Sequence, residues 1–123
     1  MNEKYLEIVQ KINELTSTMS EAFDHIISVQ IPQLRFEDSF YLLNDIIEAF
    51  WSISSALRVI QDEFDVESLQ NTENEFQERL GELLQMYKQP VAEKLLAKYQ
   101  NEIIPVYEKW QTQLLSTINR YQA

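Results

Sequence analysis

One histidine, twenty acidic side chains and no cysteine are the material from which any chemistry in this 123-residue chain would have to be built. Metal centres in helical bundles draw Glu from two helices and a Glu-x-x-His pair from each of the other two, all facing inward. His25 stands four residues after Glu21, not three, and beside an apolar seam rather than on it, so it reads as a boundary or surface histidine. An all-carboxylate site would suit a hard cation, but the Asp and Glu positions fall mostly on expected solvent faces. Lack of cysteine in the sequence removes disulfides, thiolate ligands and cysteine nucleophiles together. A Ser–His–Asp arrangement needs its serine on a sharp turn beside an oxyanion hole, and no glycine-containing elbow of that kind occurs. Lys94 and Lys98 share a helix face, where such a pair more often serves solubility than phosphate binding. The expectation is a non-enzymatic protein without cofactor or metal, whose helicity survives chelation by EDTA.

The elements that would position any site are helices. Leu43, Ile46, Phe50, Ile53, Leu57, Ile60 and Phe64 recur at alternating three- and four-residue steps, which is the seam of an amphipathic helix. A second stripe, Phe36, Phe40, Ile47 and Trp51, lies beside it, so this helix should touch neighbours on two sides. One Gly and three Pro in the whole chain leave little for hairpins or phosphate loops. Tyr5, Ile8, Ile12, Leu15, Met19, Ala22, Ile26 and Val29 continue the same spacing in an earlier helix, ended or kinked by Pro32. Leu34 and Phe36 in the connection are expected to pack down, and Asp38 or Ser39 to cap the second helix. Thr72 to Glu75 matches a capping box and predicts the start of a third helix, with Leu69 extending its pattern backwards if the preceding segment is also helical. Gly81 inside that helix is expected to admit a bulky neighbour. Pro90 suits the first turn of a fourth helix. Pro105 falls well inside it and predicts a kink, because its ring clashes with the carbonyl of Asn101.

The fold expected is all-α, a single domain over residues 1–123. It is an antiparallel up-and-down four-helix bundle with helices near 2–31, 38–64, 73–88 and 90–122, the last kinked at Pro105. Residues 95–110, LLAKYQNEIIPVYEKW, add a resemblance. Glu102, Ile103, Ile104, Pro105, Glu108 and Trp110 resemble the C-terminal signature of a family of small, uncharacterised bacterial helical proteins, while Lys109 and the stretch Tyr99 to Asn101 depart from it. The resemblance implies a helical fold and no particular activity.

Charge narrows the partners. A formal net charge of −10 repels phosphate backbones and anionic lipid surfaces, so neither nucleic acid nor membrane is expected. No run of 18 apolar residues occurs in the sequence, and the charged start MNEKYLEIVQ does not look like a secretion signal. The expected location is cytoplasmic. Most acids precede residue 86, whereas the last third is slightly basic and can face the acidic part. The preferred reading is a non-catalytic protein-binding module, an adaptor or chaperone-like bundle that accepts a partner helix in an apolar groove. Its runner-up is a structural homodimer joined through the second stripe of helix two, and an enzyme or carboxylate-metal protein comes third. The residues expected to bind protein are Phe40, Ile47, Trp51, Glu75, Glu78 and Trp110, with Trp51 beside the small residues Ser54 and Ser55.

Overall fold

The computed structural model describes residues 3–60 and 67–119, without the side chains of residues 67 and 68. Among them four helical rods and no strand are found. The first rod is α1 (Glu3–His25), continued by a π-helical turn (Ile26–Gln30). The second is α2 (Phe36–Val59) and the third α3 (Glu67–Met86). The fourth is built from α4 (Ala92–Lys98), a π-helical turn (Tyr99–Ile103) and α5 (Ile104–Asn119).

Each π turn comes just before a proline, and for one reason. The Ile31 N–H reaches the Ile26 carbonyl and the Ile104 N–H reaches the Tyr99 carbonyl, both five residues back. This wider ring gives Pro32 and Pro105 room where an ordinary α turn would drive the pyrrolidine into the carbonyl four residues earlier. The break expected at Pro105 therefore takes the form of a widened turn between α4 and α5. After Pro32 the chain reverses through a Schellman-type closure: Arg35 N–H bonds the Gln30 carbonyl at 2.8 Å and Leu34 N–H bonds the Ile31 carbonyl at 2.9 Å. The left-handed position this motif demands is filled by Leu34 at φ 58° rather than by glycine. A leucine there carries roughly 1–2 kcal/mol of steric cost. Leu34 is 64% exposed, so it does not pack down as its apolar character suggested, while Phe36 is half-buried against the core.

Two expected caps are corrected. Helix α2 starts at Phe36 after an Arg35 that makes no side-chain cap. Asp38 pairs with Arg35 at 2.6 Å, and Ser39 is fully buried, bonding the Phe36 carbonyl and the Tyr87 hydroxyl. Thr72 lies inside α3, not at its start, and donates to Gln113 Oε1 on α5 at 2.6 Å. The capping-box pattern was outcompeted by a buried inter-helix bond, and α3 begins at Glu67 with Leu69 buried, as the backward extension allows. Pro90 stands just outside its helix, because Val91 is the extended residue that precedes Ala92. Gly81 is also corrected: no atom of another element lies within 4 Å of where its Cβ would be. Phe64 and Asp62, placed in the second helix by spacing, lie outside the described residues.

The central seam is as its spacing requires. Leu43, Ile46, Phe50, Ile53, Leu57 and Ile60 are all at most 5% exposed, and they meet Ile12, Met19, Phe23, Leu83, Ile103 and Trp110 in one continuous core. Neighbouring helices run antiparallel, because contacts on one move backwards as those on the other move forwards. Thr16 meets Tyr107 while Phe23 meets Tyr99, and Thr72 meets Gln113 while Tyr87 meets Tyr99. The backbone pairs that approach closely are α1 with α2, α3 with α5, and α1 with α5. The remaining neighbours, α2 and α3, are joined mainly by large side chains, Phe50 on Phe76 at 5.0 Å among them.

Candidate functional site

The α2–α3 seam is where the sequence-expected stripe and the structure meet. Phe40, Ile47 and Trp51 recur at seven- and four-residue steps, so they share the flank of α2 that turns toward α3. Phe40 is half-buried on the Tyr87 ring at 5.5 Å, and Ile47 is half-buried against the core. Trp51 remains 43% exposed, with its ring 5.5 Å from that of Phe50. It lines a groove of about 410 Å³ between the two helices, with Leu57 and Arg58 on its own side and Leu69, Glu73 and Gln77 across from it. The small Ser54 leaves this space open and donates to Glu73 Oε1 at 2.6 Å, tying the floor of the groove together.

The α3 side of the seam explains why it stays open. Gln70, Asn74, Gln77 and Gly81 follow one another at four-, three- and four-residue steps and are all exposed. Amides and a glycine offer α2 no apolar surface to close upon. Opposite them, the flank of α3 that meets the fourth rod carries Thr72, Arg79 and Glu82, and there contact is tight. Lys98 on α4 reaches Glu82 at 2.6 Å and Glu102 at 2.9 Å, while Arg79 holds Glu82 at 3.0 Å. Hydrogen bonds from Lys98 and then Arg79 hold the Glu82 carboxyl below the usual carboxylate range. The slightly basic last third of the chain does face the acidic α3, then, through Lys98.

The other site residues are separated from Trp51. Trp110, expected to bind protein, is fully buried, edge-on to Phe50 at 5.3 Å and tilted against Phe76 at 5.4 Å, and presents no surface to a partner in this structure. Its apolar neighbours outcompete exposure, because a tryptophan in the middle of a heptad-like seam faces whatever the seam faces. Glu75 is half-buried and lies one turn before Arg79, on the α5 side; Glu78 is exposed on the outer face of α3. His25 is exposed, and among the described residues no group of three or more His, Asp or Glu is arranged to hold a metal ion.

Sequence reasoning missed the buried hydroxyls. Ser39, Tyr87 and Tyr99 form a chain with oxygen separations of 2.9 and 2.8 Å, linking α2, the end of α3 and the fourth rod. Tyr107 donates to the Thr16 carbonyl at 2.9 Å and lies 2.6 Å from the Ser20 hydroxyl. Burial pushes the ionisation of Tyr99, Tyr87 and Tyr107 upward from the ordinary value of 10.0. Neutral tyrosines at these crossings tie the helices together. A tyrosine on a seam reads from sequence as one more apolar residue; only the polar Ser20 and Ser39 across from it betray the bond.

The architecture is thus that of an all-α four-helix bundle with one incompletely closed seam. Residues 7–113 match the family model described as a domain of unknown function, DUF8042, and the chain belongs to that family. The match includes all of residues 95–110, which carry the resemblance to an uncharacterised family. No curated protein and no solved structure matches the chain.

Proposed function

We propose that this protein is a non-catalytic, cytoplasmic protein-binding module, an adaptor or chaperone-like bundle whose docking surface is the α2–α3 seam around Trp51. The observation that carries the reading is a large aromatic side chain, 43% exposed, at the wall of a groove between two helices that do not close. Tryptophan is enriched among residues whose truncation costs binding most, and partner helices dock into apolar grooves through a few such anchors. A cytoplasmic setting fits a cysteine-free sequence, which needs no oxidising compartment to fold. It also fits the finding that no helix among the described residues is long and apolar enough to cross a membrane. The bacterial origin suggested by residues 95–110 belongs to the same reading.

Partner capture with wild type and Trp51→Ala tests it. The variant should keep the unfolding free energy of the wild type, from urea melts, to within about 1 kcal/mol and lose 2 kcal/mol or more of association free energy. A variant that binds as tightly as the wild type removes the seam from consideration. Light scattering at two protein concentrations distinguishes a partner module from the structural homodimer, since only a dimer changes mass on dilution.

A further inference from the structure

We propose that the corner between α1 and α2 is a hinge with two stable positions, the second being a dimer in which two copies of this chain exchange α1. Exchange at this corner is independent of what the α2–α3 seam binds. Pro32 and Pro105 follow the same kind of widened turn, yet the chain does opposite things after them. Beyond Pro105 the helix runs on to Asn119, whereas beyond Pro32 it reverses into α2. A π turn thus lets a helix of this chain pass a proline. The first rod does pass Pro32 by one residue, since the Gln33 N–H still bonds the Val29 carbonyl, four back, at 3.1 Å. The reversal is made at Leu34, with φ 58°, and Arg35, with φ −89° and ψ 65°. Neither residue suits that task. Leu34 holds the left-handed position that glycine favours, and its exposed side chain gains little packing to offset the strain. Arg35 supplies no side-chain cap to the first N–H groups of α2. Gln, Leu and Arg all have high helix propensity. Continued helix across the corner would give the N–H groups of Phe36, Glu37 and Asp38 the carbonyls of Pro32, Gln33 and Leu34. What opposes the straight corner is the core. Val9, Ile12, Met19 and Phe23 are buried against the other rods, and a lone chain that swung α1 away would expose them. A second copy removes that cost, because each α1 fills the place the other has left, against α2 and α5, with the contacts it makes in the monomer. The straight corner therefore exists only as a pair.

Because α1 must leave the core before two copies part, the dimer forms on refolding and persists through dilution. The full chain is therefore refolded from urea at low and at high protein concentration, and monomer and dimer are separated by size exclusion. The sequence holds no cysteine, so Ser20→Cys with Gln111→Cys places a unique thiol pair where Gln111 Nε2 lies 3.4 Å from Ser20 Oγ, between α1 and α5. A short bismaleimide joins the two thiols, and a denaturing gel reads whether the link lies within a chain or between chains. The monomer should link within the chain and the dimer between chains, with circular dichroism checking that the double variant keeps its helicity. In the otherwise unaltered chain, Leu34→Gly should weaken dimerisation tenfold or more, because glycine relieves the closed corner and disfavours the continuous helix in both copies. Trp51→Ala should leave the dimer fraction unchanged. Refolding to monomer alone at high concentration would overturn the proposal, as would a dimer whose links stay within each chain. A dimer fraction unchanged in Leu34→Gly, or abolished by Trp51→Ala, would overturn it as well.

Discussion

The seam between α1 and α5 and the seam between α2 and α3 use the same kinds of rods and end differently. In the first, Tyr107 spans the gap, its hydroxyl against Ser20 and the Thr16 carbonyl and its ring 5.0 Å from Phe23. In the second, Phe50 and Phe76 meet in the core, but beside them α2 presents Trp51 to the amides Gln70, Asn74 and Gln77. Closure thus depends less on the apolar seam, which all helices have, than on the flank beside it. Where that flank carries residues that bury an apolar body and satisfy a polar tip, the helices come together. Where it carries Gln70, Asn74, Gln77 and Gly81, the apolar flank of the neighbour is left half covered.

The two tryptophans give the sharpest way to break this comparison. Trp110 touches Phe50, Phe76 and Tyr107 and has no exposed surface, so Trp110→Ala should cost about 3–5 kcal/mol, mostly as a cavity the core cannot fill. That is a large part of the roughly 5–15 kcal/mol that holds a domain together. Trp51→Ala, at the open seam, should cost about 1 kcal/mol or less in the isolated chain. Urea melts of both variants check the pair. Similar losses at the two positions would mean that the α2–α3 seam is as closed in solution as the other.

A smaller effect probes the polar tips. Tyr107→Phe keeps the ring and removes the hydroxyl that serves Thr16 and Ser20, and about 1–2 kcal/mol should be lost. The same tyrosines set a pH dependence. Burial raises the ionisation of Tyr99, Tyr87 and Tyr107 above the ordinary 10.0, so the folded chain holds these protons more tightly than the unfolded one. Their contribution is complete below pH 10 and is lost as pH rises beyond it, when the unfolded tyrosines ionise and the folded ones do not. The urea midpoint should therefore fall between pH 9 and pH 11, and fall less in Tyr99→Phe. Glu82 works in the opposite direction: its depressed ionisation contributes stability at neutral pH that disappears as pH drops through the acid range. It is exposed enough that salt should erase most of that effect. An alkaline slope unchanged in Tyr99→Phe would remove the buried hydroxyl chain from this account.

How much of this was legible in the sequence follows from the same division. The α2 seam from Leu43 to Ile60 could be read directly because a fully buried stripe repeats with the helical period and nothing competes with it. Both proline breaks could be read as well, since the missing N–H and the ring clash act locally. The widened turns that resolve them could not, because a π turn differs from a kink only in which carbonyl accepts. Thr72 and Ser39 were misread as caps for a specific reason. A hydroxyl that would cap a helix end also serves as a buried link, and only the partners, Gln113 and Tyr87, decide between the two. Trp51 and Trp110 look alike in sequence; the flank opposite each of them separates them. The polar row from Gln70 to Gly81 was present in the sequence as a period, and reading helices for their apolar faces alone passed over it.

Gly81 gives the finest test of the open seam. A glycine in mid-helix costs roughly 1 kcal/mol relative to alanine through backbone entropy, and a closely packed neighbour can justify it. Here no atom of another element lies within 4 Å of the missing Cβ, so nothing opposes the larger side chain. Gly81→Ala should therefore raise stability by up to about 1 kcal/mol, with unchanged cooperativity in the urea melt. The direction matters more than the size. If α2 drew up against α3 in solution, the added methyl would meet it and the same substitution would destabilise. A loss of stability in Gly81→Ala would show that the seam closes over this position, whereas a gain there beside the large loss in Trp110→Ala would fix where the bundle is packed and where it is left open.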